Sequence, residues 1–179
     1  MNSVNIYTDG ACSGNQNENN IGGWGCVLRY KEKNLEFSGG EYNTTNNRME
    51  LIALISALEH VKSRWPLNIF SDSSYLINCF REGWYLKWQK NAWKTSSKTD
   101  VENRDLWERL IELLMGHKCN YYLIKGHLRL SWDEAKLRKA YEHFCDNNGI
   151  DFSYEEFLDI AAQNIRCDEL ANVFINQSK

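Results

Sequence analysis

The chain has 179 residues, enough for one domain with its own core, and 42% hydrophobic with 25% charged residues is the make-up of a globular protein. A formal net charge of −3 excludes a chain that grips nucleic acid through overall positive charge, so any such contact must be local. No run reaches transmembrane length, and the start, MNSVNIY, lacks the basic-then-apolar pattern of a secretory signal.

Three strand-like runs come first, at 3–8, 23–31 and 34–39, separated by turn residues as in an antiparallel meander. Asp9 is expected at the tip of the first strand. A helix is expected over 45–62, with Leu51, Ile55 and Leu58 on one side and Leu54, Ala57 and Val61 beside them; Pro66 marks its end. LNIF at 67–70 reads as a buried strand that runs into Asp72. Helices are expected over 74–89 and 101–116, the second capped by Asp100, then a fifth strand over 120–127 and helix through 131–176. This order suggests an α/β fold, a mixed sheet with helices on its faces. Cys12, Cys26, Cys79, Cys119, Cys145 and Cys167 form no C-x-x-C pair and read as free thiols of a cytoplasmic protein, which also argues against zinc.

Four carboxylates stand out. Asp9 and Asp72 end strands, and Glu50 and Asp168 fall on apolar helix faces, Asp168 in line with Ala161, Ile165, Ala171 and Ile175. Each alone reads most simply as a cap, a turn residue or a surface charge. Together they have no lysine or arginine at matching positions, and carboxylates facing a core are costly without a partner. Hard divalent cations take oxygen ligands, and two such ions about 3.5–4 Å apart can clamp the oxygens of an in-line phosphoryl displacement.

The blocks YTDGACSGN, TTNNRMEL, FSDSSYL, WKTSSKTDVENRDLW, IKGH and RCDELA occur in the order found in type 1 ribonuclease H enzymes. The chain resembles that family over residues 4–127 and 166–175. The resemblance implies a ribonuclease H-like fold, with a five-stranded mixed sheet of three antiparallel strands followed by parallel additions. It implies a hydrolase that cuts the RNA strand of RNA–DNA hybrids internally, using two Mg2+ ions with Mn2+ as a substitute. Products would carry 5′-phosphate and 3′-hydroxyl ends. Asp9, Glu50, Asp72 and Asp168 match the family's metal-binding carboxylates, and His127 matches a histidine that assists proton transfer or product release; taken alone, His127 reads equally well as a strand-end histidine bonded to backbone.

A hybrid carries 2′-hydroxyls on one strand only, so a reader needs polar groups in the minor groove and a separate grip on the DNA backbone. Asn15, Asn46 and Asn47 match positions that contact 2′-hydroxyls and bases. Thr45 and Asn103 match a pocket for a DNA phosphate, although TTNN also reads as a helix cap. Residues 81–98 hold Arg81, Lys87, Lys90, Lys94 and Lys98 against Glu82 alone, a local +4, with three of the seven tryptophans. This stretch matches the family's basic protrusion. Trp84, Lys87, Trp88, Lys90, Trp93, Lys94 and Thr95 are its candidate contacts, the tryptophans offering aromatic faces to deoxyribose. The simpler alternative buries the tryptophans, as expected for Trp107.

Asn43, Ser74 and the QNENN loop depart from the family pattern, and the largest departure is the forty-residue stretch 128–167 ahead of RCDELA. DNNGIDFSYEEF within it looks superficially like a calcium loop, but with Gly149 sixth, Phe144 would stand first, where an oxygen is required. The expectation is one domain over 1–179 with a helical insertion at 128–167. Ser131 with Glu134 and Ser153 with Glu156 read as capping boxes, and one unbroken helix should run over 154–175 with Asp168 on its core side. The insertion holds five basic and eight acidic residues and is expected to steady Asp168 rather than touch phosphates. A monomer acting on a hybrid, without a membrane, is expected. The competing readings are a hybrid-binding protein without catalysis and another nuclease of the same fold.

Overall fold

The computed structural model describes residues 3–14 and 19–178. The sheet contains β1 (Val4–Ser13), β2 (Ile21–Tyr30), β3 (Lys33–Tyr42), β4 (Leu67–Ser71) and β5 (Cys119–Leu123) in the spatial order β3-β2-β1-β4-β5. β1, β2 and β3 pair antiparallel, whereas β4 lies parallel to β1 and β5 parallel to β4. This is the mixed sheet expected from the sequence.

Alternation along the strands supplies two cores. Ile6, Leu28 and Ile69 turn to one face, which is covered by α1 (Asn46–Leu58), α2 (Ser74–Arg81) and α4 (Arg104–Leu114). Tyr7, Val27 and Phe70 turn to the other, under α5 (Glu134–Asn148) and α6 (Tyr154–Gln177). The short helix α3 (Trp84–Lys90) projects beyond α2. Gly23 lets α6 lie directly on β2, since a Cβ there would sit 1.8 Å from the Ala171 carbonyl oxygen.

Several boundaries differ from expectation. The helix over 74–89 is two helices, because Gly83 takes a left-handed backbone (φ +65°) between them. α1 ends at Leu58 rather than 62. α4 starts at Arg104 behind a left-handed Asn103, so Asp100 is not its cap; Asp100 instead pairs with Lys94. β5 stops at Leu123, leaving His127 in the following loop. Asp133, not Ser131, caps α5, accepting from the Lys136 backbone N–H at 2.9 Å.

α6 is unbroken over 24 residues, and the Ser153–Glu156 capping box forms as expected. α5 closes the edge of the sheet. The Asn148 side chain accepts from the Leu123 N–H (2.9 Å) and donates to the Leu123 carbonyl (3.0 Å), standing in for a neighbouring strand. Among the described residues, no helix is long and apolar enough to cross a membrane.

Candidate active site

Asp9 does not end a strand. β1 continues to Ser13 because β2 pairs with it throughout, Asp9 opposite Gly25. What ends is the parallel neighbour, whose last pair is Thr8 with Ser71. Asp9 therefore lies where β4 drops away, and Asp72, the residue after β4, faces the same opening. The strand-tip expectation is corrected in register, while the juxtaposition it implied is present.

Glu50 comes from α1. Gly10 makes this possible, as a Cβ there would lie 2.5 Å from the Glu50 backbone nitrogen. With no side chain between them, α1 presses on β1 and sets the Glu50 carboxylate beside Asp9. Asp9, Glu50 and Asp72 offer oxygens that lie within 4.8 Å of one another.

Asp9 is 5% exposed and Glu50 3% exposed. Burial, and then Asp72 and Asp168, push the Asp9 pKa up to about 8, against one N–H bond from Gly10 at 2.8 Å. Burial together with Asp9 and Asp72 holds Glu50 well above the usual carboxylate range. Asp72 is raised by burial, with His127 pulling the other way. Glu50 Oε2 is buried without a hydrogen-bond partner. Three crowded carboxylates with an orphaned oxygen suit a hard cation, which would supply the missing positive charge.

Asp168 is a correction. It is exposed, not core-facing, and it stands outside the three-carboxylate cluster. Its neighbours Cys167, Leu170 and Ala171 are the buried ones. Asp168 instead lines the cleft opposite Asp9 and Asp72, and its charge still raises both. His127 lines the same cleft, exposed, with a left-handed backbone (φ +55°).

Asn46 and Asn47, in the first turn of α1, also line the cleft, beside Glu50. Thr45 caps α1, its hydroxyl accepting from the Arg48 N–H at 3.2 Å. Arg48 was not singled out from the sequence. It donates to Asn103 Oδ1 (3.3 Å) and Asp105, tying the start of α1 to the start of α4 and so linking Thr45 to Asn103. Its place four residues after Thr44, on the outer side of the helix start, was the available signal. Tyr75 was also missed: it lines the cleft, and its hydroxyl accepts from Trp107 Nε1 at 2.8 Å. Asn15 lies outside the described residues.

In the protrusion, burial separates Trp93 from the other expected contacts. Trp93 is buried, and Trp84 and Trp88 are half-buried against the core, Trp88 meeting Trp107 edge to face at 5.5 Å. Trp93 anchors this segment, while Trp84 and Trp88 keep part of their surface open. Lys87 and Lys90 are exposed, Lys94 pairs with Asp100, and Thr95 bonds to Thr99 at 2.7 Å within the loop.

The family model described as RNase H matches residues 1–175. A curated Ribonuclease H from Thermoanaerobacter sp. (strain X514) is 56% identical over 144 residues, covering 80% of this chain and 91% of that protein. The Ribonuclease H of Acetivibrio thermocellus is 50% identical over 127 residues, covering 71% and 84%. Among solved structures, LC9-RNase H1, described as a type 1 RNase H with the type 2 active-site motif, superposes with TM-score 0.63 at 26% identity over 92% of this chain and 85% of that one. LC11-RNase H1, solved in complex with an RNA/DNA hybrid, shares the fold at 19% identity (TM-score 0.58, covering 98% and 99%).

Proposed function

The chain belongs to the ribonuclease H family, and from that premise we propose that the cleft around Asp9, Glu50 and Asp72 is where it hydrolyses the RNA strand of RNA–DNA hybrids. The observation that carries this reading is the cluster of three carboxylates with a buried, unpartnered Glu50 oxygen. Asp9, Glu50 and Asp72 would hold divalent ions, with Asp168 completing the set from across the cleft. The ions would be two Mg2+, with Mn2+ as a substitute. When bound, they offset the carboxylate charge, polarise the phosphoryl oxygens and make water a better nucleophile at neutral pH.

The protein's own residues do the rest. His127 would exchange a proton at the reacting oxygens, which leave 5′-phosphate and 3′-hydroxyl ends. Asn46 and Asn47 would meet 2′-hydroxyls and base edges on the RNA side. Thr45, Arg48 and Asn103 would hold a DNA phosphate, Arg48 exchanging part of its contact with Asp105 for it. Lys87 and Lys90 would add charge along the DNA strand.

We take the protein to be a cytoplasmic monomer, a single domain in which 128–167 is an insertion. The test offers one sequence as hybrid, double-stranded RNA and double-stranded DNA, with Mg2+ and with chelator. Only the hybrid should be cut, only with metal, and Glu50→Gln should abolish cutting. Equal cutting of double-stranded DNA would overturn the reading.

A further inference from the structure

A second groove opens beside the cleft, between the chain leaving β5 and one face of α5. It encloses about 610 Å³, against about 480 Å³ for the carboxylate cleft. Lys136, Lys139 and His143 recur on this face at helical spacing, and Lys125 approaches from the opposite wall. No acidic residue lines it. Of the insertion's carboxylates, Glu134 pairs with Arg138 at 2.7 Å and bonds Tyr154, Asp159 pairs with Arg29 on β2, and Asp133 is engaged in capping α5 at the Lys136 N–H (2.9 Å). Among the described residues, no carboxylate lies within ion-pair distance of Lys125, Lys136 or Lys139. The half-buried Trp132 gathers two of these lysines over its ring, Lys136 at 3.9 Å from the centroid and Lys125 at 5.7 Å.

Like charges converging without counter-charges repel one another, and that repulsion is relieved when an anion enters. The groove lies next to the cleft along the chain leaving β5: Lys125 lines the groove, and Gly126 and His127 line the cleft. A phosphodiester chain that left the carboxylates on the His127 side would come within reach of Lys125.

We propose that the groove between β5 and α5 is an added phosphodiester-binding subsite, in which Lys125, Lys136 and Lys139 hold the substrate backbone where it leaves the cleft. This rests on the reading of the cleft as a hybrid nuclease and extends it to the insertion. It replaces the expectation that 128–167 avoids phosphates. That expectation came from the net charge of the segment, and the groove depends on which charges share a face.

The test measures hybrid binding without metal, over a series of increasing duplex lengths and salt concentrations, for wild type, Lys136→Ala with Lys139→Ala, and Arg138→Ala. Arg138 carries the same charge on the side paired with Glu134. Wild-type affinity should step up once the duplex is long enough to reach the groove. The lysine variant should lose that step, about tenfold on long hybrids, and its salt slope should fall by up to about two units. Its binding and cleavage of short hybrids should match wild type, and Arg138→Ala should keep the step. Thermal melting of each variant separates lost folding from lost binding. Unchanged length dependence and slope in the lysine variant would overturn the subsite, as would an equal loss in Arg138→Ala. A wild-type protein that cuts no hybrid of any length would instead overturn the function from which the subsite was argued.

Discussion

Two surfaces pair lysine with tryptophan, and they are built in opposite ways. In the protrusion, tryptophans from one short stretch point inward: Trp93 is buried and Trp88 packs on Trp107, leaving Lys87 and Lys90 outside. In the groove, one half-buried tryptophan, Trp132, collects lysines from two separate elements over its ring. The protrusion shows in a running charge sum because its lysines have almost no acidic neighbours. The groove disappears in such a sum because Asp133, Glu134 and Glu142 lie among its lysines in the sequence without lining it. Charge must be counted at the period of the element that carries it.

If both surfaces only bind, changes at the carboxylates should outweigh changes at either. Asp9→Asn keeps the size of the side chain and removes charge from the cluster, so cleavage should fall on the order of 10³-fold or more while metal-free hybrid binding survives. The metal-free protein should also gain stability. Folded Asp9 keeps its proton to about pH 8, whereas an unfolded aspartate loses it near 4. The folded state therefore binds more protons across that window, and wild-type stability falls as pH rises from about 4 to 8. The variant should escape this fall and be about 1–3 kcal/mol more stable at pH 7 in chelator. Equal melting temperatures there would contradict the crowded-carboxylate account.

The buried Trp93 and the half-buried Trp132 predict different losses. Trp93→Ala empties a buried site and should cost roughly 3 kcal/mol of stability. Trp132→Ala should cost under about 1 kcal/mol yet weaken long-hybrid binding, since Lys125 and Lys136 lose their common support. Denaturant unfolding beside hybrid titration reads both. The contrast fails if Trp132→Ala destabilises as much as Trp93→Ala.

Replacing Lys87, Lys90 and Lys94 together should flatten the salt dependence of hybrid binding. Three free lysines would remove nearly three units of slope. Lys94 already pairs with Asp100, so the expected drop is nearer two, and Lys94→Ala alone should do little.

The strands, α1 and α6 were legible because their apolar periods run long and agree with their caps; the Ser153–Glu156 box announced the start of α6 correctly. The breaks were less legible where they depend on backbone sign. Gly83 splits a helix whose side-chain pattern is continuous, and Asn103 starts α4 from a left-handed turn that gives no periodic signal. The three clustered carboxylates could be found from residue type and position. Asp168 was assigned to the right helix line and the wrong environment. Ala161 and Ala171 on that line are buried, but at Asp168 the cleft stands opposite, not the sheet. Periodicity reports a direction, and only the fold says what lies in it. The same limit hid the groove, whose walls are brought together by the docking of α5 on β5.

That docking can be broken on its own. Asn148 is the last residue of α5, and its amide satisfies both backbone groups of Leu123 on the exposed edge of the sheet while donating to the Phe144 carbonyl at 2.7 Å. Arg81 reinforces the joint by bonding the Asn147 carbonyl and the Asn148 side chain. Asn148→Ala leaves the helix and its apolar stripe of Leu137, Ala140 and Phe144 in place, so α5 should remain folded. It frees the Leu123 N–H and carbonyl, which lose their partner on α5. The loss should be about 1–2 kcal/mol, with faster amide exchange at Leu123 than at its neighbours in β5. Lysines on a looser helix hold the phosphodiester chain less well, so long-hybrid affinity should drop by a few-fold while short hybrids and turnover stay unchanged. Uniformly faster exchange along all of β5 would mean that Asn148 supports the whole edge strand rather than the groove wall. Unchanged exchange at Leu123 would mean that the amide bridge contributes nothing to holding the two basic walls together.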